Sequence, residues 1–228
     1  MLNYYVVMLP ALLLAGLATL FTRITFGKYS RYRSVSGMTG AEAARRMLSA
    51  QGVQGVNVEQ AGGFLGDHYD PQTKTLRLSP GVYGSSSLSA IGVACHEAGH
   101  AIQHAGQYAP LMLRTGMVPV TVLGSHLAWI LFAVGMAVGS FALIKFGIML
   151  FGLGLAFAIV TLPVEWDASM RAKRLMITTG IVSPPEAAMA AQVLNAAFLT
   201  YVAGAITALL ELSYWLWRAG LLGGSRRD

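Results

Sequence analysis

Four stretches of this chain are apolar for long enough to cross a bilayer: approximately Tyr4 to Phe21, Val118 to Val138, Phe141 to Leu162 and Phe198 to Trp217. About 20 residues of helix span the hydrocarbon layer. In lipid the backbone polar groups must be satisfied within the segment, so each stretch is committed to helix. A mean hydropathy of +0.57 and a charged fraction of 11% fit a chain partly dissolved in lipid. The first stretch lacks a basic leading segment and a small-residue cleavage site, and Arg23, Lys28, Arg31 and Arg33 follow it. It is therefore expected to be a retained anchor rather than a cleaved signal peptide. Little more than Gly139-Ser140 separates the second and third stretches, which predicts a tight hairpin with Lys145 snorkelling near its turn.

Four spans put the polar segments, about 22–117 and 163–197, on the same side. That side carries twelve of the sixteen Lys and Arg residues, against Lys145, Arg218, Arg226 and Arg227 on the other. The bias predicts that the polar segments face the cytoplasm with both termini outside, although Arg226 and Arg227 pull the other way. The net charge of +6 is explained by this topology, and no basic patch interleaved with aromatics points to nucleic acid. A single cysteine, Cys95, excludes an intrachain disulfide and reads as a small core residue.

The larger polar segment holds His96-Glu97-Ala98-Gly99-His100. On a helix, residues four apart share a face, so His96 and His100 point the same way. Two neutral imidazoles at that spacing can grip one zinc ion, and Glu97 is placed to take a proton from water at that ion. The surroundings favour a helix: Ser85-Ser86-Ser87 offers N-caps, and Leu88 to Cys95 leads in as an apolar, small-residue run. Burying two histidines and a glutamate there for structure alone would be costly without partners.

Upstream, Thr39-Gly40-Ala41-Glu42 reads as a capping box opening a helix through about Ala50, which Gln51-Gly52 ends. Val56-Asn57-Val58-Glu59 is a candidate strand, the run from Gly62 to Pro71 a loop, and Lys74 to Ser79 alternates like a short half-buried strand. A strand beside the metal would hold an extended substrate by main-chain hydrogen bonds. The expected fold is thus a mainly α membrane protein: four transmembrane helices with a small α+β, zincin-like cytoplasmic domain. Its parts are an anchor (1–22), that domain with short strands and the histidine-bearing helix (23–116), a transmembrane hairpin (117–162), a segment with the third zinc ligand and a helix (163–197), a transmembrane helix (198–218) and a tail (219–228).

A catalytic zinc takes three protein ligands and keeps one position open. A third histidine six residues beyond the second is absent, since that position is Gly106. His104 continues the same helix, and a straight helix sets it about 12 Å from His96, too far for one ion. Five carboxylate side chains lie downstream of Glu97. Glu186 belongs to a capping box in Ser183-Pro184-Pro185-Glu186, Asp228 is the last residue, and Glu211 lies inside the fourth span. Glu165 and Asp167 remain, in Pro163-Val164-Glu165-Trp166-Asp167-Ala168-Ser169 at the mouth of the third span. They are about 200° apart on a helix and cannot face one ion in the same way. Glu165 is taken as the ligand, with Asp167 behind the ligands or in contact with substrate.

Three motifs in order, His96 to His100 with Ala101-Ile102-Gln103, Asp67-His68-Tyr69-Asp70-Pro71, and Pro163 to Ser169, resemble those of the YugP-type membrane zinc metallopeptidases across nearly the whole chain. The resemblance implies a membrane-embedded neutral zinc metallopeptidase and little about its substrate. More distantly, the layout is similar to the HtpX and CAAX-processing gluzincin membrane proteases, whose third ligand is a glutamate in a Glu-x-x-Ala-Asp type motif. Here Glu165 and Ala168 are kept and Ser169 stands where that motif has its aspartate, so Asp167 is the residue to take that role.

The expected activity is an integral-membrane zinc-dependent endopeptidase, a hydrolase acting on protein or peptide substrates that are membrane-associated, with the bilayer as its other partner and no nucleic acid. His96, His100 and Glu165 are the zinc ligands and Glu97 the general base. His68 and Tyr69, with Tyr83 behind them, are the candidates to stabilise the oxyanion, against a reading in which they only pin the strand beside the site. A catalytically silent membrane adaptor that keeps the fold is the alternative from another class, although no motif residue is missing. A transporter built on His126, Glu211 and Lys145 leaves the histidine motif unexplained.

Overall fold

The computed structural model describes residues 4–62 and 66–221. The residues Gly63-Phe64-Leu65 of the upstream loop and the tail beyond Leu221, with Arg226, Arg227 and Asp228, lie outside the described residues. Among the described residues the chain is mainly helical, with one small sheet. In order the elements are α1 (Tyr4–Tyr29), α2 (Gly40–Ala50), β1 (Asn57–Gln60), β2 (His68–Asp70), β3 (Thr75–Leu78), α3 (Pro80–Tyr83), α4 (Leu88–Ala105), α5 (Ala109–Val138), α6 (Phe141–Thr178) and α7 (Pro184–Arg218). Helices α1, α5, α6 and α7 are each long and apolar enough to cross a membrane. At 1.5 Å per residue the 38 residues of α6 run about 57 Å, well beyond the roughly 30 Å of a hydrocarbon core.

The described residues divide into two compact units. One draws on residues 4–17, 113–162 and 200–221. In it Gly139, at φ +68°, turns α5 into α6, a conformation glycine adopts without strain. Gly147 of α6 lets the two helices close: a Cβ there would stand 3.0 Å from Ala128 O and 3.1 Å from Phe132 N. Phe132, Ile144, Ile148, Tyr214 and Trp215 form its core. His126 is exposed on α5.

The other unit comprises residues 18–62, 66–112 and 163–199. Its core joins Met47 of α2, Leu76 and Leu78 of β3, Ile91, Ala94 and Ala98 of α4, Met176 of α6 and Ala190 of α7. Thr39 caps α2 in a full capping box, its Oγ1 accepting from Glu42 N at 3.3 Å while Glu42 Oε2 accepts from Thr39 N at 2.8 Å. Ser87 caps α4, accepting from Ala90 N at 3.3 Å. The sheet has the order β1-β3-β2, with β3 parallel to β1 and antiparallel to β2. Strand β2 falls inside the run read from sequence as a loop. Three residues are too short for a periodic signal, and pairing with β3, His68 opposite Arg77 and Asp70 opposite Thr75, is what makes them a strand. Asp70 is tied at the strand end by Thr73 and by Arg77, 3.1 Å away, which hold its carboxyl down to about 2.

Candidate metal centre

A helical stripe at i, i+3, i+4 and i+7 of α4 consists of His96, Gly99, His100 and Gln103, and it faces α6. The matching stripe on α6 carries Glu165, Ala168 and Ser169. Gly99 sets how close the helices come. A Cβ on it would lie 2.7 Å from Ala168 O and 3.3 Å from Ala168 Cα, so only glycine fits against that backbone. Around this contact, His96 Nε2 lies 3.1 Å and His100 Nε2 3.5 Å from Glu165 Oε2.

One ligand atom from each of His96, His100 and Glu165 lies within 4.8 Å of the other two. Glu165 is 1% exposed. An anion buried this deeply needs a compensating cation. Two imidazole nitrogens and a carboxylate oxygen are the donors a catalytic zinc takes, with a fourth position left over. The three side chains therefore fit a zinc ion.

Each histidine is also held from behind. Ser169 Oγ is 3.2 Å from His96 Nδ1, and Gln103 Oε1 is 2.9 Å from His100 Nδ1. Gln103 Nε2 donates to Val164 O and Asp167 Oδ2, each at 2.8 Å, and Arg171 donates through Nε to the same Asp167 oxygen. Asp167 thus touches Gln103 rather than a histidine. Sequence reading left Gln103 and Ser169 without roles, yet both stood on the ligand stripes, three residues after His100 and four after Glu165. Polar residues at those positions in otherwise apolar faces were the available signal.

Glu97 lies on the adjoining face of α4 with Ala101 and His104, towards β2. Its Oε2 accepts from Tyr69 N at 3.0 Å, so a backbone N–H of the strand fixes the carboxylate. Burial pushes this carboxyl above its ordinary value against the pull of His100 and His96, and the charges of Glu165 and Asp67 add to the rise. Burial works against a charged His100, but its contacts with Glu165 and the charge of Glu97 outweigh that and raise it. Asp67 accepts from Ser79 N at 2.7 Å and ties the start of β2 to the end of β3.

The oxyanion candidates reach this region differently. Tyr69 enters through its backbone, while its hydroxyl is 2.9 Å from His104 Nδ1. His68 Nδ1 is 2.8 Å from Gly66 O. A carbonyl only accepts, so Nδ1 carries the proton and neutral His68 presents a lone pair at Nε2. Tyr83 hydroxyl accepts from Arg45 at 2.9 Å. Cys95 is fully buried and its thiol is pushed up to about 12, the state of a packing residue rather than a ligand.

Comparison with known proteins agrees with this geometry. The profile of a family described as "Putative neutral zinc metallopeptidase" matches residues 4–220. The chain is 46% identical over 204 residues, 90% of its own length and 91% of the relative's, to the "Putative membrane protease YugP" of Bacillus subtilis (strain 168). No solved structure matches.

Proposed function

Because the chain belongs to that neutral zinc metallopeptidase family, we propose that it is an integral-membrane zinc-dependent endopeptidase using Glu97 as general base. The observation that carries the proposal is the convergence of His96, His100 and Glu165 ligand atoms within 4.8 Å beside a buried glutamate on the same helix. His96, His100 and Glu165 would hold the ion. When bound, zinc supplies Lewis acidity, which brings water's loss of a proton towards neutral pH and polarises a carbonyl.

The chain's own residues supply the rest. Glu97 takes the proton from the attacking water and returns it to the leaving amine. Its Oε2 is anchored by Tyr69 N, which leaves Oε1 to do this work. Tyr69 N points away from β3 to Glu97, so this edge of β2 faces α4, the side along which an extended peptide would run. His68 and Tyr69 are assigned to the developing oxyanion. His68 would donate from Nε2 only as an imidazolium, and Tyr69 would donate its hydroxyl while accepting from His104. Asp167 holds Gln103. The excess of Lys and Arg on the 22–117 and 163–197 side supports a cytoplasmic face for this chemistry.

Zinc content and peptide hydrolysis of detergent-purified protein test the proposal. Near one zinc per chain is expected in wild type, Glu97→Gln and Asp167→Ala, with loss in Glu165→Ala. Hydrolysis should fall about 10²- to 10⁴-fold in Glu97→Gln. Zinc that survives Glu165→Ala but not Asp167→Ala moves the ligand. A folded wild type that takes up no zinc removes the peptidase reading and leaves the silent adaptor.

A further inference from the structure

Gln103 is 0% exposed, and every polar atom of its side chain is engaged. Its nitrogen faces a backbone carbonyl, Val164 O, and a carboxylate oxygen, Asp167 Oδ2, both at 2.8 Å. Both are acceptors, so turning the amide over would set oxygen against oxygen twice, and the surroundings alone decide its orientation. The remaining atom, Oε1, lies 2.9 Å from His100 Nδ1 and can only accept. His100 must therefore carry a proton on Nδ1, which leaves Nε2, the nitrogen on the Glu165 side, as the one a zinc ion would take.

We propose that Gln103 is the positioning residue that locks His100 as an Nε2 ligand, with Asp167 and Arg171 holding Gln103 in turn. The proposal rests on the zinc reading of the site and adds an asymmetry between the two histidines. Ser169 Oγ, 3.2 Å from His96 Nδ1, can donate or accept, so it steadies His96 without selecting a tautomer. The lock acts along a chain that ends at Arg171, whose guanidinium lies 5.8 Å from the Tyr108 ring centre. Partners of this kind set ring orientation and ligand basicity, and their removal costs about 10- to 100-fold in metal affinity.

Zinc affinity by chelator competition and apo-protein melting, both on the full chain in detergent, separate a lock from simple packing. Gln103→Glu keeps an acceptor for His100, whereas Gln103→Leu removes it and fills the buried space with apolar atoms. Zinc affinity is expected in the order wild type, Gln103→Glu, Gln103→Leu, with the leucine variant weaker by about 10- to 100-fold. Melting temperature without metal should run the other way, Gln103→Leu at or above Gln103→Glu, because a buried carboxylate is the costlier replacement. Ser169→Ala should lose less affinity than Gln103→Leu. If Gln103→Leu does not fold, Gln103→Met takes its place in the same comparison. Wild-type affinity in Gln103→Leu, or an affinity order that follows the melting order, overturns the lock while zinc loss in Glu165→Ala still upholds the centre. A wild type without zinc overturns both.

Discussion

Replacing Gly99 by alanine adds one carbon at the point where α4 and α6 touch. In the present geometry that carbon would lie 2.7 Å from Ala168 O and 3.3 Å from Ala168 Cα, both backbone atoms that cannot rotate away. An unstrained carbon contact needs about 3.5 Å or more, so the helices must separate by roughly 0.5 Å or more. Glu165 is one turn from Ala168, and His96 and His100 flank Gly99, so the ligand set opens by a similar amount. Metal–ligand distances tolerate only about 0.2 Å. Overpacking of this kind costs about 1–3 kcal/mol. If zinc binding must recover that distortion, affinity falls roughly 5- to 150-fold, at 1.4 kcal/mol per factor of ten. Gly92 supplies the control on the same helix, because a Cβ there meets Ala190 O at 3.5 Å and Ala190 Cβ at 3.6 Å, ordinary contact. Gly92→Ala should bind zinc as wild type does and gain up to about 1 kcal/mol of helix propensity. Chelator competition and thermal melting read both variants. Equal zinc affinity in Gly99→Ala and Gly92→Ala would refute the claim that the Gly99–Ala168 contact sets the ligand spacing.

Metal removal should be visible in stability as well as activity: at zinc 100-fold above its dissociation constant the ion contributes about 2.7 kcal/mol. For a chain of 228 residues that is roughly 5 to 10 °C of melting temperature lost on chelation and regained with zinc. Asp70 gives a pH-dependent term of defined sign, since its bonds with Thr73 and Arg77 depress its pKa from 3.8 to about 2 in the folded chain. Its stabilisation is present above the unfolded value and lost as pH falls through the folded one, so the melting gap between wild type and Asp70→Asn should narrow between about pH 4 and pH 2. A gap that stays constant over that window would contradict the ion-pair account.

Features set by backbone periodicity were legible before any coordinates. Long apolar runs must be helical in lipid, the capping box at Thr39 announces α2, and four-residue spacing puts His96 and His100 on one face because 3.6 residues make a turn. The same periodicity placed Gly99 and Gln103 on the histidine face, although nothing local said that α6 would lie against it. Strand β2 had no signal of its own, because three residues become a strand only through a partner that sequence does not name. Sequence reading narrowed the carboxylates to Glu165 and Asp167 and took Glu165. Which of the two faces the histidines, 65 or more residues away, was for tertiary structure to decide. Tertiary structure also decided that Asp167 reaches Gln103 instead, and that Tyr69 meets Glu97 through its backbone while its hydroxyl turns to His104. The physical reason is range: backbone geometry fixes neighbours within a turn or two, whereas the ångström-scale approach of α4 to α6 depends on packing Gly99 against Ala168.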